Sequence, residues 1–168
     1  VSKALDALQS IVGQASDGVS PSAMLSAFKT ALLHAAAAPQ DAVGLAAAVS
    51  RAGSLVASLN QANASIQEVR AQADQDMASS VSTINALLKS FDQTNHAAIS
   101  GSASGQDVSD LLDRRDAILS DLAKEVSIST IIGSNGDMSI YTDSGVALYQ
   151  GTPRAVSMEP TTTFAAGV

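Results

Sequence analysis

From residue 40 to residue 99 the chain has no proline, and its only glycines there are Gly44 and Gly53. Across that stretch apolar residues and alanines recur at Ala52, Val56, Leu59, Ala62, Ile66, Val69, Ala73, Met77, Val81, Ile84, Leu88 and Phe91. The steps are threes and fours throughout, which is one face of an α-helix. Two consecutive fours, from Ala73 through Met77 to Val81, make a stutter that locally relaxes a left-handed supercoil. At 1.5 Å rise per residue, a helix of about sixty residues is roughly 90 Å long. Such a helix is not stable alone and requires neighbours along its length.

The flanking segments supply those neighbours. Val1, Ala4, Leu5, Leu8, Ile11 and Val12 are helically spaced, and Gly13 with Ser16, Asp17 and Gly18 ends the pattern. Ser20 suits an N-cap and Pro21 a first helical position, so a second helix runs through Met24, Leu25, Phe28, Leu32 and Leu33 until Pro39. Residues 100–105, built of Ser, Gly and Ala, are expected to form a flexible turn. Asp107 is the expected cap of the next helix, with Asp110 in the capping-box position. The apolar face of that helix comprises Val108, Leu111, Leu112, Ile118, Leu119, Leu122 and Val126. A short connection predicts that it folds back, antiparallel, on the distal end of the long helix.

Beyond Val126 the period becomes two. Residues 128–132, 138–142 and 146–149 read as short strands, with turns at 133–137 and 143–145 and a possible fourth strand at Ala155, Val156 and Ser157. Thr161, Thr162 and Thr163 read as a linker. The expected fold is mainly α with a small β part: an elongated antiparallel helical bundle built on one very long helix, followed by a short β meander. The domains are drawn as a helical rod over 1–126 and the truncated start of a β-rich domain over 127–168.

Composition supports elongation. Hydrophobic residues make up 46%, much of it alanine, while aromatics are only 3%. A chain poor in large anchors favours thin helix-on-helix packing over a spherical core. The net charge of −7 argues against nucleic acid and against an anionic membrane surface. The absence of cysteine excludes disulfides, thiolate metal sites and a Cys nucleophile. No apolar run is expected to reach the ~20 residues of a membrane span, and no secretory signal is read at Val1. The ends, Val1 and Val168, read as cut points within a longer chain.

Catalytic chemistry finds no foothold. His34 and His96 each lie toward a helix C-terminus, where the dipole favours them. Asp92 and His96 are four apart, half of a zinc site without a second pair. Gly101-Ser102-Ala103-Ser104-Gly105 lacks the central serine of a nucleophile elbow, and Gly133-Ser134-Asn135-Gly136 is a hairpin turn without the lysine of a phosphate loop. No catalytic, cofactor-binding or metal-ligating residue is expected. Asp110 and Arg114 have the spacing of a surface ion pair. Arg115 shares the stripe of Leu111, Ile118 and Leu122, so it should face the long helix and fix register there, with Asp92 or Asn85 at about the right depth.

One stretch is more specific. Asp110, Leu111, Leu112, Asp113, Arg115 and Asp116 open a helix that ends in Leu122-Ala123-Lys124-Glu125-Val126. A β segment with Asn135-Gly136-Asp137 follows, and then Gly145-Val146-Ala147-Leu148-Tyr149-Gln150-Gly151. This order resembles the bacterial flagellar hook-associated proteins, whose members carry Gln where this chain has Arg114. Leu25-Ser26-Ala27-Phe28 leading through an alanine-rich turn to Pro39 is similar to the family's upstream region. Within the family, the motif favours the member at the hook–filament junction over its filament-side neighbour or a flagellin-like subunit. The resemblance implies an extracellular structural subunit of the flagellum, exported unfolded by the flagellar secretion system. Its partners would be copies of itself in a ring, the hook protein and the filament-side junction protein, with no catalysis, cofactor, nucleic acid or membrane. It further implies that this segment alone is monomeric, since the family's polymerising terminal helices are missing from it. A helical signalling or sensor coiled coil would also explain the long helix, as would the rod of an adhesin or secreted effector. The signalling reading leaves the β meander and residues 110–116 unexplained.

Overall fold

A computed structural model of the chain describes residues 6, 9, 13, 18, 20–134 and 136–161. The helix expected over 1–12 falls almost wholly outside them. The described elements are α1 (Pro21–Ala37), α2 (Ala42–Ala103), α3 (Ser109–Glu125), β1 (Ile128–Ile132), β2 (Met138–Thr142) and β3 (Ala147–Tyr149). They fall into two compact units, Val1–Asp74 with Thr161–Val168, and Gln75–Pro160. The meander shares its core with α2 and α3.

The first unit is a helical hairpin. Ser20 caps α1 by accepting the Ala23 N–H at 3.3 Å, with Pro21 just inside. Asp41 stands one residue before α2 and accepts the Val43 N–H at 3.0 Å. Ala27, Ala31 and His34 of α1 and Gly44, Ala47 and Arg51 of α2 line a common cleft, which is antiparallel register. Ala35 and Ala48 are buried, whereas Leu33 is 63% and Val49 73% exposed. The larger aliphatics remain on open faces. Between residues 42 and 67 the one charged side chain is Arg51. By length and composition alone, α2 is apolar enough to cross a membrane. This corrects the expectation above that no segment is; scattered Ser and Gly break the run without making it polar.

Serine and threonine are tolerated within α2 because their hydroxyls turn back onto the helix. Ser54 donates to the Ser50 carbonyl, Thr83 to Ser79 and Thr94 to Ser90. The turn expected at 100–105 is corrected: α2 continues to Ala103. Gly101 is buried against the segment leading into α3, where an added Cβ would lie 2.7 Å from Val108 Cγ1. The helix then ends in a Schellman motif. Gly105 takes φ +71°, its N–H donates to the Ser102 carbonyl, and the Gln106 N–H reaches the Gly101 carbonyl at 3.0 Å. The capping expectation is also corrected. Val108 occupies the N-cap of α3 without a side-chain bond, and Asp107 instead accepts both the Ser109 N–H and hydroxyl. Those two bonds hold the Asp107 carboxyl below its ordinary range, the hydroxyl being the larger cause.

In the second unit α3 folds back antiparallel on the end of α2, and the sheet closes over both. Ile84, Leu88 and Phe91 of α2 share a core with Ile118 and Leu122 of α3 and with Met138, Ile140, Leu148 and Tyr149 of the sheet. The sheet order is β1-β2-β3, antiparallel throughout, with Ile128 opposite Thr142 and Ile140 opposite Tyr149. The Phe91 and Tyr149 rings meet edge to face at 5.0 Å. No fourth strand forms among the described residues: Tyr149 and Pro153 make an isolated bridge, and Val156 bonds to a side chain instead.

Candidate functional site

Chemistry-bearing side chains converge at one place, between α2, α3 and the turn before β2. Asn95, fully buried, is its centre. Its Oδ1 accepts from Arg115 Nη1 at 3.2 Å, and its Nδ2 donates to Asp137 Oδ1 at 2.7 Å and lies 3.5 Å from the Tyr149 hydroxyl. Arg115 Nη1 also donates to the Gly136 carbonyl at 3.1 Å. Asp137 Oδ1 in turn accepts the Met138 N–H at 2.9 Å, and the Tyr149 hydroxyl donates to Asp92 Oδ1 at 3.1 Å. His96 Nε2 lies 3.3 Å from that same Asp92 oxygen.

Each position follows from local structure. Phe91, Asn95 and Ala98 lie on one helical face, so Asn95 points where the core would continue. Arg115 is buried with Ile118 and Leu122 on the inner face of α3. The chain's alternation puts Met138 and Ile140 inward. A carboxamide suits the centre because it accepts from a cation and donates to an anion at once. Burial above all, then the nearby carboxylates of Asp92 and Asp137, raises the Tyr149 phenol above its ordinary range, against a lowering by the Asn95 amide.

Of the motif residues read from the sequence, the structure brings only Arg115 into this node. Asp110, Asp113 and Asp116 are exposed, Leu112 is largely open and Leu111 half-buried. Arg115 meets α2 at Asn95, and not at Asp92 or Asn85. Asp92 is taken by Tyr149 and His96, while Asn85 lies farther along α2 and holds Val156. The Schellman ending extends α2 beyond the expected turn and so shifts the register of α3. Lys124 pairs with Asp121 and His96 Nε2 lies beside Asp92, whereas Asp110 and Arg114 do not pair. The bond to Asp121 raises the exposed Lys124 ammonium above its ordinary range. Asn95 was missed in the sequence because a lone Asn inside a Ser/Asn/Gln-rich helix carries no spacing signal.

Most of the node's polar atoms are committed to each other, although the buried Arg115 Nε has no hydrogen-bond partner among the described residues. No group of three metal-ligating side chains occurs among the described residues. The geometry is that of a cross-brace tying two helices to a sheet.

No curated protein matches the chain. Among solved structures it is similar to the flagellar hook junction protein FlgK from Burkholderia pseudomallei, with a TM-score of 0.73 and 24% identity. The likeness covers 88% of this chain and 27% of that one, so the chain spans about a quarter of the solved protein's length. At that identity the likeness speaks for the fold. The family model of the flagellar hook-associated protein FlgK helical domain matches residues 5–166. The chain therefore belongs to the FlgK helical-domain family of flagellar hook-associated proteins.

Proposed function

We propose that this chain is the helical segment of a structural subunit at the junction between flagellar hook and filament, and that its work is mechanical. The match of the family model over residues 5–166 carries the reading. The cross-brace at Asn95 and Arg115 supports it, since a load-transmitting segment needs helix and sheet to move as one body. In this reading residues 110–116 are structural: Arg115 ties α3 to α2, and Asp110, Asp113 and Asp116 keep the outer face soluble. The parent subunit works outside the cell after export through the flagellar secretion system. There it contacts copies of itself in a ring, the hook protein on one side and the filament-side junction protein on the other. It uses no catalysis and no cofactor. Deleting the parent gene tests this. Cells should keep their hooks, lose their filaments and shed flagellin monomers into the medium; normal motility in the deletion strain refutes the proposal.

A further inference from the structure

Beyond β3 the chain doubles back beside the strand as far as Arg154 and then leaves the sheet. Gly151 turns it at φ +69°, and the Arg154 N–H donates to the Leu148 carbonyl. The next residues are held by a side chain. Asn85 of α2 accepts the Val156 N–H on Oδ1 at 2.9 Å and donates from Nδ2 to the Val156 carbonyl at 2.8 Å. That reciprocal pair is what a residue of an antiparallel strand offers its hydrogen-bonded neighbour. The carboxamide thus recognises main chain, with no demand on side-chain identity. Burial alternates along the segment: Val156 and Met158 are half-buried, while Ala155, Ser157 and Glu159 are exposed. Val156 packs at the margin of the core. An extended backbone read by its amide and carbonyl, with alternate side chains turned inward, is how sheet edges bind peptides; here one helix residue does it.

We propose that residues 155–160 form a detachable strap, seated in a main-chain peptide-binding site on α2 whose latch is Asn85. The strap is separable because the core closes without it. The largest fully buried side chains, Tyr149, Phe91, Leu88, Leu122, Ile140 and Asn95, all belong to α2, α3 and the strands. Lifting the strap exposes Asn85 and uncovers one side of the core margin, while the node around Asn95 keeps all of its bonds. This inference does not rest on the flagellar reading.

The test compares amide hydrogen exchange, and trypsin cleavage after Arg154, in the whole chain and in Asn85→Ala. The variant should exchange the Val156 amide about tenfold faster and be cut faster after Arg154, with the amides of β2 as protected as before. Asn85→Asp, which keeps the acceptor and loses the donor, should fall between the two. Unchanged Val156 exchange in Asn85→Ala overturns the latch. Parallel loss of protection at Val156 and throughout β2 overturns the strap, because the segment would then open only with the core.

Discussion

Replacing Asn95 by alanine removes the one group that joins Arg115 to Asp137. Two charge-assisted hydrogen bonds are lost, at 3.2 and 2.7 Å, each of a kind that contributes about 1.5–3 kcal/mol. Both charges keep other partners: Arg115 retains the Gly136 carbonyl, and Asp137 retains the Met138 N–H among others. That places the hydrogen-bond loss near the low end, about 3 kcal/mol in all. The small void left in a fully buried position adds to it, for an expected total of about 3–4 kcal/mol. Asn95→Asp should fare little better, since it sets a second carboxylate where the amide now lies 2.7 Å from Asp137. Urea unfolding followed by tyrosine fluorescence is the assay. The chain has no tryptophan, and both tyrosines, Tyr141 and Tyr149, lie in the 75–160 unit, so the signal reports that unit alone. A double-mutant cycle with Arg115→Met isolates the pair and should give a coupling of at least about 1 kcal/mol. Asn95 is no brace if Asn95→Ala lies within about 0.5 kcal/mol of the parent chain, or if the two substitutions add independently.

Phe91→Ala, at a fully buried site against Tyr149, should cost about 3–5 kcal/mol in the same assay; Leu33→Ala and Val49→Ala, both largely exposed, should stay within about 0.5 kcal/mol by thermal unfolding. Gly101→Ala should destabilise by roughly 1–3 kcal/mol despite alanine's better helix propensity, because its Cβ meets Val108, and Val108→Ala in the same chain should restore most of the loss. Tyr149 gives an alkaline signature. Its folded pKa is raised, so its contribution is fully present below the unfolded value of about 10 and is lost as pH rises through the folded one. Stability measured from pH 9 upward should therefore fall more steeply than in Tyr149→Phe.

Much of this fold can be read from the sequence because periodicity is a local property. The long helix, the return helix and the three strands each announce themselves over ten residues or fewer. Ser20 and Pro21 mark the start of α1 for the same reason. What escaped depends on contacts between distant residues. Gly101 looks like a helix breaker until Val108 is seen packed where its side chain would be. Val156 looks like a strand residue until Asn85 supplies the missing strand's bonds. Arg115 could be assigned to the inner face from its stripe, but its partner depends on how many residues the elbow between helices consumes. A shift of the helix end by four residues moves that partner to Asn95.

The elbow at Gly105 also orders the assembly of the unit in time. It joins α2 to α3 through five residues, and the pair it brings together, Asn95 and Arg115, are 20 apart in the chain. Tyr149 and Asp92 are 57 apart, and Val156 and Asn85 are 71 apart. Loop closure grows costlier with separation, and contacts near in sequence form earliest. A chain emerging end first would close the helical elbow before the sheet exists, dock the meander on it, and seat Val156 last. Unfolding under load would run the other way, beginning at the contact with the longest loop and reaching Asn95 and Arg115 only at the end.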